Sequence, residues 1–240
     1  MKYETILFDV DDTLLDFGIT EKEALNKAFL KFGLPTGLVD YHDSYREISN
    51  VLWQDLEQGS ITLAELGVER FRRLFLKHDI NINAEMFNRV YLRYLGKEVH
   101  LIEGAEEVCT ALSNRRLAII TNGFKEVQIS RLKASPLSDM FEYLIISEEV
   151  GYPKPEKEIF DYAFSKLQIT NKDNVLIVGD SLTSDIQGGN NYGIDTCWFN
   201  PYQKENNTDI IPTYEISKLA ELIHILSPRV TKTSGSTSGR

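Results

Sequence analysis

Short apolar runs that stop abruptly at a polar group recur along this chain and constrain its fold more than any other feature. Thr5-Ile6-Leu7-Phe8 runs into Asp9-Val10-Asp11-Asp12-Thr13-Leu14, Leu117-Ala118-Ile119-Ile120 into Thr121-Asn122-Gly123, and Val175-Leu176-Ile177-Val178 into Gly179-Asp180-Ser181. Strands are expected over 4–10, 117–121, 143–146, 175–179 and 196–199, and after about residue 100 they alternate with helical patterns at βαβ spacing. That alternation predicts an α/β fold: a mostly parallel sheet with helices on both faces and the ligand outside the C-terminal strand ends. The stretch 20–99 breaks the pattern and reads as four amphipathic helices, including 23–32, 39–57, 63–77 and 84–95. The expected division is a core from 1–16 and 100–228, an inserted all-helical domain over 17–99, and a disordered tail over 229–240 with little to bury.

Asp9 and Asp11 stand two residues apart at the mouth of the first strand. Burying several acidic groups together is costly unless a cation offsets them, so the pair points to a hard metal, Mg²⁺. Alone it is weak, because a solvated acidic turn is as good a reading in a chain with 36 acidic residues. Asp185 follows Asp180 by five positions. Gly151-Tyr152-Pro153-Lys154-Pro155 sets one lysine ahead of a helical pattern of Ile159, Phe160, Ala163, Phe164 and Leu167, with Pro155 suited to its first turn. Each position has a plainer reading by itself. Thr121 ends a strand, Asp180-Ser181 caps a helix, Lys154 is a solvated loop lysine, and Asp12 and Thr13 hydrogen-bond the backbone of their turn. Only the ordered set selects the functional reading.

Acid pair, hydroxyl, lysine and second acid pair, in that order, resemble the four motifs of the haloacid dehalogenase superfamily, mostly Mg²⁺-dependent phosphatases. The resemblance spans most of the chain and implies a Rossmann-like core with an all-helical cap of the first cap type. It also implies roles. Asp9 is the nucleophile that forms an aspartyl-phosphate, and Asp11 protonates the leaving oxygen and then deprotonates the hydrolytic water. Mg²⁺ is held by the Asp9 carboxylate, the Asp11 backbone carbonyl and Asp180, while Asp185 orients metal waters or Lys154. Thr121 and the Asn122 amide take phosphoryl oxygens. Physical chemistry asks for the same parts, because a phosphate monoester dianion repels an anionic nucleophile and the site must neutralise it. Asp9, Asp11, Asp180 and Asp185 carry four negative charges against three from Mg²⁺ and Lys154, an imbalance that favours protonating one carboxylate.

For the substrate, Asp16-Phe17 after the first motif, the aromatics Tyr45, Trp53, Phe71, Tyr91 and Tyr94, and the Thr121-Asn122-Gly123-Phe124 turn are similar to a branch of capped pyrimidine 5′-nucleotidases. Phe17 or Trp53 stacks on a base in that reading, and Gly123 borders the substrate; cap core is the plainer role for such aromatics. Sugar-phosphate or phosphoglycolate hydrolysis, and phosphoryl transfer of the β-phosphoglucomutase kind, remain open within the same chemistry. A dehalogenase would need neither Asp11 nor Asp180, and a receiver domain would be about half as long.

A net charge of −10 argues against nucleic-acid polymers as partners, because phosphate backbones are held by basic stripes. A small phosphate ester remains compatible. No apolar run approaches the roughly 20 residues of a membrane helix and the N-terminus enters a strand directly, so the expected compartment is the cytoplasm. Cys109 and Cys197 sit in helical and strand-like patterns and read as reduced core residues.

Overall fold

The computed structural model describes residues 2–34 and 39–227. Six parallel strands form one sheet in the order β3-β2-β1-β4-β5-β6, with β1 Thr5–Phe8, β2 Arg116–Thr121, β3 Tyr143–Ile146, β4 Val175–Gly179, β5 Asp195–Phe199 and β6 Tyr214–Ile216. Phe8 lies opposite Ile119 on one side and Val178 on the other, so β1 is central and the strand order reverses beside it. A crevice opens at such a switch point, outside the strand ends. Asp9 and Asp180 both border it, each the first residue past its strand.

Alternate side chains of each strand enter opposite cores. Ile6, Phe8, Ile119 and Val178 pack with Val108, Cys109 and Leu222 of α5 Ala105–Ala111 and α10 Glu221–Leu226. Leu7, Ile120 and Ile177 face Phe160, Phe164 and Tyr192 of α8 Lys157–Leu167 and α9 Gln187–Tyr192. Helices α6 Lys125–Ala134 and α7 Ser147–Val150 follow β2 and β3.

Between β1 and α5 lie four helices, α1 Phe17–Lys31, α2 Val39–Glu57, α3 Leu63–Lys77 and α4 Ala84–Leu95. They have their own core, in which Phe29, Tyr45, Phe71, Phe75, Phe87 and Tyr91 interlock. A capping box opens α3: Thr62 Oγ1 accepts from the Glu65 amide and the Glu65 carboxylate accepts from the Thr62 amide. The two linkers to this cap run side by side, with the Asp16 amide donating to His100 O at 2.8 Å and the Ile102 amide to Leu14 O at 3.0 Å.

Several expectations move. β1 ends at Phe8 rather than 10, because the chain turns at once and Asp12 takes a left-handed φ of 58°. α1 begins at Phe17, not 23, where the Asp16 carboxylate caps it by accepting from the Ile19 amide at 2.8 Å. α8 begins at Lys157, so Pro155 stands outside its first turn. β6 went unforeseen: three residues, one of them buried, make no readable period. Both cysteines are free and buried. The tail at 229–240 lies outside the described residues, among which no helix is long and apolar enough to cross a membrane.

Candidate active site

The polar residues that end β1, β2 and β4 meet a loop lysine. Lys154 Nζ, 1% exposed, donates to Asp9 Oδ1 at 2.6 Å, Asp185 Oδ1 at 2.6 Å and Ile120 O at 2.7 Å, so all three protons are used. The loop is pinned by Asn122, whose Nδ2 donates to Lys154 O while its Oδ1 accepts the Lys154 amide, both at 2.8 Å. Burial alone would lower the Lys154 ammonium, but the Asp185 and Asp9 carboxylates more than offset it and hold it above its ordinary value. Burial, with Asp185 and Asp11 adding and Lys154 opposing, pushes the Asp9 carboxyl up to about 7.

Carboxylate oxygens of Asp9, Asp180 and Asp185 lie within 4.8 Å of one another. Asp185 is engaged on both oxygens, by Lys154 and by the Ser181 amide at 3.1 Å. Asp180 is different. Its backbone oxygen accepts from Trp198 Nε1, but among the described residues no protein donor reaches its carboxylate. Burial, then Asp185, Asp9 and Asp12, hold that carboxyl well above the usual range. A half-buried carboxylate without a donor among the described residues, beside two buried ones, fits a divalent cation with oxygen ligands. The Asp11 side chain is outside this cluster.

Asp11 instead faces α6. Gln128 Nε2 donates to Asp11 Oδ2 at 2.8 Å and to Thr121 Oγ1 at 3.0 Å, and the buried Arg131 donates to Asp11 Oδ1. Sequence reading missed both side chains. Gln128 and Arg131 are three residues apart and share the buried face of α6 with Val127 and Leu132, an inward polar pair that was the available signal. Arg131 also enters the charge count: it and Lys154 set two positive charges against the four carboxylates, and a bound Mg²⁺ would bring the positive charges to four.

Of the turn residues, Asp12 Oδ1 accepts the Phe17 amide at 2.9 Å. The Thr13 amide donates to Val10 O at 3.4 Å, but its side chain does not bond the turn's backbone as expected: the buried Oγ1 has no partner among the described residues. Ser181, not Asp180, caps the turn at Leu182–Ile186, accepting from the Ser184 amide at 3.1 Å.

A cavity of about 440 Å³ lies between this edge and the cap. Asp9, Asp11, Asn122, Lys154, Asp180 and Asp185 line its floor. Phe17 and Glu21 of α1 and Arg46, Ser49, Asn50, Trp53 and Glu57 of α2 line its other side, the α2 residues at the three- and four-residue steps of one helical face. Gly123 is not part of the lining, and its amide donates to Ser147 Oγ at 3.2 Å. Tyr45, Phe71 and Tyr91 belong to the cap core around the buried Arg70, which donates to Tyr45 OH and Asn88 Oδ1, each at 3.1 Å. Tyr94 packs at the edge of that cluster. Phe124 of the β2–α6 turn also reaches the cap: its ring lies 5.5 Å from the Arg70 guanidinium, and a Cβ on Gly67 of α3 would stand 3.0 Å from it.

A Rossmann-like parallel sheet with a carboxylate centre on its C-terminal edge, beneath a helical cap, defines a class of α/β hydrolases. The family profile of the haloacid dehalogenase-like hydrolases matches residues 6–199, and the chain belongs to that family. It is 40% identical to the HAD-hydrolase YfnB of Bacillus subtilis over 94% of this chain and 96% of that protein. A crystal structure of YfnB bound to magnesium superposes with a TM-score of 0.90, covering 95% of this chain and 100% of that one. Two pyrimidine 5′-nucleotidases, YjjG of Escherichia coli and PynA of Streptococcus pneumoniae, are each 36% identical, over 94% and 96% of this chain and 99% and 98% of their own.

Proposed function

We propose that this hydrolase removes phosphate from pyrimidine nucleoside monophosphates, using Mg²⁺ and an aspartyl-phosphate on Asp9. The observation that carries the reading is the buried Lys154 ammonium bound to Asp9 and Asp185 beside an Asp180 carboxylate that no protein donor among the described residues reaches. Lys154 fixes Asp9 so that one oxygen faces the cavity, and its charge offsets the incoming dianion. Asp9 attacks phosphorus, the P–O bond to ribose breaks, and Asp11 gives its proton to the departing oxygen. Water then attacks the phosphorus of the acyl phosphate, Asp11 takes the proton, and inorganic phosphate leaves with Asp9 restored. Asp9, Asp180 and the Asp11 carbonyl would hold Mg²⁺, which when bound supplies charge neutralisation at the phosphoryl oxygens. Asp185 already holds Lys154 and the Ser181 amide and so acts as an orienting group.

The nucleotide reading is supported by the cavity's far side, lined by the aromatic Phe17 and Trp53, which also pack on the cap's apolar clusters, and by the polar Ser49 and Asn50, and by the two nucleotidases of similar sequence. Its test is a panel of nucleoside monophosphates and sugar phosphates assayed for phosphate release with and without Mg²⁺, with Asp9→Asn as the blank. The expected result is Mg²⁺-dependent release, fastest from pyrimidine monophosphates, and less than about a hundredth of it in Asp9→Asn. Faster release from ribose or hexose phosphates than from every nucleotide would overturn the substrate assignment, and substantial activity in Asp9→Asn would overturn the covalent step.

A further inference from the structure

The Asp11 carboxylate is held on both oxygens by one face of α6, and the residues that hold it are wired to each other. Arg131 Nη1 donates to Asp11 Oδ1 and to Gln128 Oε1, the latter at 3.2 Å. Gln128 Nε2 spends one proton on Asp11 Oδ2 and the other on Thr121 Oγ1. The amide can sit only one way round, because a flip would turn its oxygen against a carboxylate. Thr121 Oγ1, as an acceptor from Gln128, keeps its own proton free to donate.

Arg131 is unusual in its setting. It is fully buried, and its Nε and Nη2 have no hydrogen-bond partner among the described residues. A guanidinium with idle donors is a costly way to fill space, and an apolar side chain of that length would fill it at no such cost. Among the described residues its one charged contact is Asp11, and the Phe17 ring sits 5.7 Å from it, where the cap begins. A bulky, charged, poorly satisfied residue retained for a single carboxylate has the character of a positioning group.

We infer that Gln128 and Arg131 are a positioning pair for Asp11: together they hold its carboxylate in one orientation, and through Gln128 they set it at a fixed distance from Thr121. The inference rests on the proposed role of Asp11 in proton transfer to the leaving oxygen. Such a pair matters most where the leaving group needs a proton. An alkoxide such as ribose 5′-O⁻ leaves poorly without one, whereas 4-nitrophenolate hardly needs it.

The test compares kcat on uridine 5′-monophosphate, or the best alkyl ester of the panel, with kcat on 4-nitrophenyl phosphate. Arg131→Met should lose at least tenfold more on the alkyl ester than on the aryl ester, with KM nearly constant for both. Arg131→Lys, which restores the charge but not the fork, should recover part of that selective loss. Asp11→Asn combined with Arg131→Met should be no slower on the alkyl ester than Asp11→Asn alone, because residues acting as a unit are not additive. If Arg131→Met melts below the assay temperature, Gln128→Leu takes its place and should again lose more on the alkyl ester. Equal losses on the two esters, or an additive double variant, would overturn the inference while Asp11→Asn stays selective. An Asp11→Asn that slows both esters equally would overturn the proton-transfer role and the inference with it.

Discussion

Gly179 ends β4 directly beneath Asp185, and replacing it by Ala tests the Lys154 arrangement without touching any charged group. A Cβ there would lie 2.2 Å from Asp185 Cγ and Oδ2, against 3.4 Å for an ordinary contact, so the carboxylate must retreat by about 1.2 Å. The backbone is poorly placed to yield instead, because Gly179 is in register with Trp198 on β5 and the neighbouring Val178 carbonyl accepts the Asp9 amide. A retreat of that size opens the 2.6 Å bond from Lys154 beyond hydrogen-bonding distance. Breaking one partner out of a buried ion pair costs about 3–5 kcal/mol, and Lys154 keeps Asp9 and Ile120 O, so the lower end, about 3 kcal/mol, is expected. For a chain of this length that corresponds to a fall in Tm of about 6–12 °C. Differential scanning fluorimetry reads the fall, and phosphate release should drop in parallel as Lys154 loses its second anchor. Gly179→Ala combined with Asp185→Gly should melt close to Asp185→Gly alone, because the Asp185 Cγ, Oδ2 and Cβ that the new methyl would meet at 2.2, 2.2 and 2.7 Å are then gone. A Tm within about 2 °C of wild type with kcat within threefold would refute the reasoning.

Three further outcomes are expected. Trp53→Ala should raise KM for a pyrimidine monophosphate by the equivalent of about 1–3 kcal/mol if the ring stacks on the base, with a far smaller change on 4-nitrophenyl phosphate; parallel loss on both would make Trp53 part of the cap's packing. Asp180→Asn should weaken Mg²⁺ binding in calorimetric titration more than Asp185→Asn does, since among the described residues no protein donor reaches the Asp180 carboxylate and two reach Asp185; the reverse order would exchange their roles. Burial, against Arg70 and Tyr45, pushes Glu21 up to about 7, above its unfolded value near 4.5, so the native state binds the extra proton and stability is lost as pH rises from about 4.5 to about 7. Glu21→Gln should therefore match wild type near pH 4.5 and melt higher by pH 8, and an unchanged difference across that range would contradict the assignment.

The residues that gather at the sheet edge were legible because a parallel sheet brings every strand's C-terminal end to one side. Once Phe8, Ile120 and Val178 read as strand, Asp9, Thr121 and Asp180 had to share a border. Lys154 and Asn122 were legible only through the order of motifs, since nothing local tells a buried loop lysine from a solvated one. Gln128 and Arg131 escaped notice although they share a helical face with Val127 and Leu132, because polar side chains at such spacing usually border the apolar stripe in solvent. Counting charges without Arg131 left out one of the two cations that face these carboxylates. The cap aromatics were ambiguous for the same reason. Tyr45, Phe71 and Tyr91 enter the cap core while Trp53, on the same helix as Tyr45, lines the cavity, and helical spacing alone could not separate them.

Phe124 leaves the β2–α6 turn to pack against Gly67 and Arg70 in the cap, and this limits how such a protein can be recombined. A cap taken from another member of the family would have to arrive with a gap where Gly67 sits, or the visiting helix would press on the ring and, through it, on the start of α6 that carries Gln128 and Arg131. Grafting the helices alone would then disturb the donor-independent half of the enzyme. Cap exchange is predicted to preserve phosphate release better when the aromatic and the glycine are transferred together than when the helices are transferred alone, because the pair spans the boundary between cap and core.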